Sequence, residues 1–83
     1  MKYGYTIADA ADRKVFEEAI PFIIEKLHFK PSHDYPEDVD GSIKKEFTRD
    51  DGNLILESDA QVNCVDIVSD VELPITSLHK WTC

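Results

Sequence analysis

Three histidines (His28, His33 and His79) and two cysteines (Cys64 and Cys83) are the side chains with the most chemistry to offer in this sequence. A neutral imidazole moves protons or binds metal, and a thiolate attacks electrophiles or binds zinc, but each task needs a second group at a set spacing. His79 and Cys83 lie four residues apart, with His28 and His33 as further nitrogen donors, yet no Cys-x-x-Cys or His-x-x-x-His pair is present. Such pairs are what close a zinc site. No metal and no cofactor is therefore expected. GxSxG, P-loop, Rossmann and HExxH patterns are absent, and no nucleophile is placed beside a histidine by sequence, so no catalytic residue is assigned and the chain is not read as an enzyme.

Asp38-x-Asp40-Gly41 resembles the middle of a calcium loop, where alternating carboxylates and a glycine wrap oxygens around the ion. That template asks for an acid two residues before Asp38 and a glutamate at its twelfth position, where this chain has Pro36 and Phe47. The segment reads as an acidic turn. Two cysteines are also too few for the disulfide scaffold of a small secreted domain. They read as free thiols in a reducing compartment, and the N-terminal residues lack the apolar stretch of a secretory signal. The expected location is cytoplasmic.

Charge is the next feature. The net charge is −8, and its placement is uneven. Residues 1 to 30 carry five acids and five bases, whereas residues 31 to 83 carry twelve acids against Lys44, Lys45, Arg49 and Lys80. Between Asp50 and His79 there is no lysine or arginine at all. Such a field repels nucleic-acid phosphates and anionic lipid and attracts a basic protein. Aromatics such as Tyr3, Tyr5 and Trp81 could stack nucleic-acid bases, but a stacking platform needs a basic groove beside it. Direct nucleic-acid binding and membrane binding are both expected to be absent.

The elements that must position these groups follow from periodicity. The 83 residues suit one domain, 1–83, with one core. Tyr3, Tyr5 and Ile7 alternate with smaller or polar neighbours, which predicts a strand over about residues 2–7. Val15, Phe16, Ala19, Ile20, Ile23, Ile24 and Leu27 recur at spacings of three and four, which predicts a helix started by Asp9 or Asp12. Pro21 should kink this helix or begin a second one, because it lacks an N–H and its ring meets the preceding turn. Residues 30–41 are rich in proline, aspartate, serine and glycine and read as a loop. Strands are predicted at 43–48, 54–58 and 62–73, joined by Asp50-Asp51-Gly52-Asn53 and by a turn near 59–61.

The resulting fold class is α+β: a single β-α-β-β-β domain with one Pro21-kinked helix on a curved antiparallel sheet of four strands. Many unrelated small modules share this layout, cystatin-like and immunity-protein-like shapes among them, so it carries no function by itself. In the last strand Val65, Ile67, Val71 and Leu73 would face the helix, leaving Asp66, Asp70 and Glu72 outside. Glu57 and Asp59 would join them from the neighbouring strand and Glu46 from the strand beyond, as a lattice of carboxylates. These six acids are the candidate partner-binding residues. The expected function is a small acidic binding module, monomeric or weakly dimeric: an inhibitor, an immunity protein or a DNA-mimicking decoy over a basic site. Two alternatives stand beside it: a small enzyme or ligand-binding domain using His28, His33 and the 30–41 loop, or an accessory subunit of a larger assembly.

Overall fold

A computed structural model describes residues 3–74. The order of elements is β1 (Tyr3–Ala8), α1 (Arg13–Glu25), β2 (Lys30–Asp34), β3 (Ile43–Arg49), β4 (Gly52–Asp59) and β5 (Cys64–Ser69). All five strands form one antiparallel sheet in the order β1-β5-β4-β3-β2. The fold is thus α+β, with one helix packed on an antiparallel sheet, and strand 1 pairs with the last strand.

The helix begins where Asp12, in an extended conformation, accepts hydrogen bonds from the backbone N–H of Lys14 at 2.9 Å and Val15 at 3.3 Å. A short carboxylate there satisfies donors that have no partner inside the helix. Phe16, Ala19 and Ile23 are buried on one face, and Leu27 continues the stripe just past the helix end. Ile24, which the spacing places on the same stripe, is instead exposed. Pro21 neither ends the helix nor starts another: α1 runs continuously through it. Its side chain points to solvent, where water can satisfy the Glu17 carbonyl that the missing N–H leaves unbonded. Beyond the C-terminus His28 takes a left-handed φ of 63°, and Phe29 N–H bonds back to the Ile23 carbonyl at 3.2 Å. A left-handed residue just past a helix end is a position that glycine usually takes.

The inner face of the sheet supplies the rest of the core. Ile43 and Phe47 on β3, Leu54 and Leu56 on β4, and Val65 and Ile67 on β5 meet Phe16, Ala19 and Ile23 of the helix. Helix α1 makes its main contact with the central strand, β4. One side of an antiparallel sheet is thereby packed, and the other faces outward.

Two expectations about the strands need correction. Residues 30–34 are a fifth strand, not loop: β2 pairs with β3 at the sheet boundary. All five of its residues are exposed, so it carries no burial alternation, and Pro31 is tolerated because a boundary strand pairs on one side only. The last strand is shorter than 62–73. Asn63 adopts a φ of 61° in the turn before it, Val62 is exposed, and β5 ends at Ser69. Val71 and Leu73 consequently lie beyond the strand, although Leu73 is still buried and its N–H donates to the Tyr5 hydroxyl at 2.9 Å. Cys83, His79, Lys80 and Trp81 lie outside the described residues.

Candidate functional site

Cross-strand partners in an antiparallel ladder share a face, so the register fixes what the outer surface displays. One row across the sheet is Thr6, Asp66, Glu57 and Lys44, on β1, β5, β4 and β3 in turn. The next row is Gly4, Val68, Ile55, Glu46 and His33. Asp59 stands opposite Cys64 at the end of the β4–β5 pair. The acids gather on β4 and β5, and Lys44, His33 and Lys30 lie toward the β2 side.

Glu57 is the centre of the acidic group. Its carboxyl is pushed above the usual carboxylate range, first by burial and then by repulsion from Asp59, with Asp66 and Asp38 adding to it and Lys44 opposing it. Lys44 stands directly opposite Glu57, but its ammonium sits 4.6 Å over the Tyr35 ring. Burial and an excess of acidic over basic neighbours make ionised Glu57 costly in the isolated domain. A cation arriving from outside would relieve that cost.

Asp66 holds the neighbouring thiol. Cys64 donates to its carboxylate at 3.1 Å, and this bond to an anion, together with burial and the nearby acids Asp59 and Glu57, pushes the thiol up to about 11. Cys64 is thus a protonated donor at neutral pH and a poor nucleophile.

The six candidate acids are not equivalent. Glu57, Asp59 and Asp66 come together as the alternation implied. Asp59 also accepts from Gln61 N–H at 2.9 Å and Val62 N–H at 3.2 Å, so it holds the β4–β5 turn. Glu46 is on the same face but lies one row over, where it accepts from the Tyr35 hydroxyl at 3.3 Å. Asp70 lies past the end of β5 and accepts from Asn53 N–H at 2.9 Å, while its own N–H donates to the Asn53 carbonyl at 3.0 Å. Glycine at 52 permits this, since a Cβ there would stand 2.7 Å from Asp70 Cβ. Glu72 is exposed and off the strand.

Sequence reading missed four contributors to this face. Tyr35 and Asp38 come from the segment between β2 and β3, and with Ser42, Lys44 and Glu57 they border a cleft of about 200 Å³. Thr6 and Gly4 come from β1, whose place beside β5 is a non-local pairing that no local pattern announces.

The other candidate chemistry resolves into structure. Asp40 accepts from Ser42 N–H at 3.0 Å, which holds its carboxyl below the usual range, and Gly41 takes a φ of 90° beside it. Asp38-x-Asp40-Gly41 is a tight turn. His28 lines an open cleft of about 380 Å³ with Lys30, Thr48, Arg49 and Asp50. Arg49 is already committed there, bonding both Asp51 oxygens at 2.6 and 2.7 Å, donating to the Leu27 carbonyl at 2.6 Å and stacking on Phe29. His33 lies elsewhere, edge-on to Tyr35 at 4.4 Å. Among the described residues no group of three His, Cys, Asp or Glu side chains is placed to hold a metal ion, and no helix is long and apolar enough to cross a membrane. No protein-family model, no curated protein and no solved structure matches the chain.

Proposed function

We propose that this domain is an acidic protein-binding module that receives a basic protein partner on the outer face of its sheet, around Glu57 and Asp66. The observation that carries this reading is the state of Glu57, whose carboxyl is raised by burial and by surrounding acids while the lysine opposite it is turned onto an aromatic ring. A partner's lysine or arginine would add to the partial counter-charge that Lys44 supplies, and the long-range field would speed encounter. Asp59 and Glu46 widen the same field, and exposed Glu72 and the partly committed Asp70 lie at its margin. A protein whose basic site otherwise holds nucleic-acid phosphates fits best, which makes the domain an inhibitor, an immunity protein or a decoy standing in for DNA. On this reading it is not an enzyme, it takes no cofactor, it works in the cytoplasm and it is monomeric or weakly dimeric when free.

The experiment is capture from an extract of its own cells at low salt, comparing the wild type with a Glu57→Gln, Asp66→Asn variant and with an Asp9→Asn control. Proteins held by the wild type and the control but lost by the double variant support the reading. Equal capture by all three defeats it.

A further inference from the structure

Lys44 and Glu57 are direct partners across β3 and β4, and both are half-buried. A lysine and a glutamate opposite each other in a ladder are well placed to pair. Here they do not: the ion pairs among the described residues are Arg13 with Glu37, Lys45 with Asp34 and Arg49 with Asp51. Lys44 offsets part of the Glu57 charge through space, but its ammonium is drawn aside, 4.6 Å over the Tyr35 ring. One cleft thus keeps an ammonium and a carboxylate apart.

The walls of that cleft are fixed before any ligand arrives. The Tyr35 hydroxyl donates to Glu46 at 3.3 Å, and its ring stands edge-on to His33 with centroids 4.4 Å apart. Asp38 N–H donates to the Ser42 carbonyl at 2.9 Å, and Gly41 N–H donates to the Asp38 carbonyl at 3.0 Å. With Gly41 at a φ of 90°, this is a closed three-residue hairpin turn, and Ala60 N–H ties it to the next turn through the Ser42 hydroxyl at 2.9 Å. A ligand therefore has little of the site left to order. Pro36 and Ile43 add apolar surface, and Asp38 adds a second carboxylate whose charge is felt at Glu57. The volume of about 200 Å³ falls below the ~300 Å³ at which pockets for drug-sized ligands begin, so the occupant must be small.

The mixed charge narrows the ligand further. A purely cationic molecule meets Lys44 as a like charge, and a purely anionic one meets Glu57 and Asp38. A zwitterion satisfies both ends, and an ammonium lying over a ring still has N–H donors to offer a carboxylate. We infer that the cleft between β3, β4 and the 35–42 turn binds a free α-amino acid with a small aliphatic side chain. Its ammonium lies toward Glu57 and Asp38, its carboxylate toward Lys44, and its side chain against Tyr35, Pro36 and Ile43. This goes beyond the acidic binding face, which draws on Glu57 but needs no pocket, and it does not rest on that face.

L-Valine serves as the probe, titrated into the isotope-labelled full chain at neutral pH and followed by amide chemical shifts. Saturable shifts are expected over residues 35–38 and 42–44 and at Glu57. Affinity should be at least about tenfold weaker for N-acetyl-L-valine, which lacks the ammonium, and for L-valinamide, which lacks the carboxylate. Lys44→Met should abolish the preference for valine over valinamide, Lys44→Arg should keep it, and Glu57→Gln should reduce the preference for valine over N-acetylvaline. Valinamide binding as tightly as valine to the wild type would make the cleft a plain cation site and overturn the inference. The absence of saturable shifts at tens of millimolar valine would overturn it as well. Either result leaves the acidic face standing, since that face is judged by partner capture.

Discussion

Glu57 and Cys64 both answer to the acids around them: burial and then Asp59 raise the Glu57 carboxyl, with Asp66 adding to it, and the Asp66 carboxylate holds the Cys64 thiol. A carboxyl whose pKa is raised in the folded state binds its proton more tightly there than in the unfolded chain. The folded state therefore loses stability as pH rises through the ordinary carboxylate range toward the raised folded value, and the penalty persists above it. Glu57→Gln removes that penalty. It should raise the urea midpoint slightly at pH 7, and the gain should vanish at pH low enough to protonate Glu57 in both states. A loss of stability at pH 7 would show that Lys44 pairs productively with Glu57. For Cys64, each pKa unit lowers the thiolate fraction tenfold at neutral pH. In a Cys83→Ser background, alkylation of folded protein at pH 8 should be slow and should accelerate toward pH 11, and Asp66→Asn should speed it. That Glu57 and Asp66 share the outer face was legible from period-two alternation, whereas their direct pairing comes from the register of β4 and β5. The thiol bond was not, because it depends on a same-strand side-chain orientation that alternation does not specify.

At the scale of elements, the helix and the three central strands follow from strong apolar periodicity, and the cap could be narrowed in advance to Asp9 or Asp12. β2 could not be read this way. Its sequence, Lys-Pro-Ser-His-Asp, buries nothing and is ordered by backbone pairing with β3, so side-chain pattern carries no trace of it. The end of β5 was equally hidden, since Asp70 closes it through bonds to Asn53, far away in sequence. The helix face is testable. Ile23→Ala should cost about 2–5 kcal/mol, as buried large-to-small changes do. Ile24→Ala should cost far less, because Ile24 is exposed. Equal urea midpoints for the two variants would mean the helix is rotated from the orientation described. At its C-terminal end His28 pays for a left-handed backbone, so His28→Gly should stabilise by roughly 1 kcal/mol. Destabilisation there would assign the imidazole a packing role.

At the largest scale, residues 3–74 form a two-faced sheet: helix and core on one side, and on the other a field of carboxylates on β4 and β5 beside the uncharged strand β1. The acid excess was readable from composition, and its concentration on one face followed once the strands were placed. What composition could not supply was the position of β1 next to that field, which depends on the pairing of residues some sixty positions apart, such as Tyr5 with Ile67. If the face works as a binding surface, electrostatics should act mainly on encounter, since screening over ~8–10 Å at ordinary ionic strength shortens the reach of the field. The most direct measurement is the association rate of the captured partner with the wild type and with the Glu57→Gln, Asp66→Asn variant, across a salt series. The expected result is a wild-type rate that falls steeply with salt and a variant rate that is lower at low salt and flatter throughout. Wild-type and variant rates that coincide at every salt concentration would contradict the assignment of this face as the binding surface.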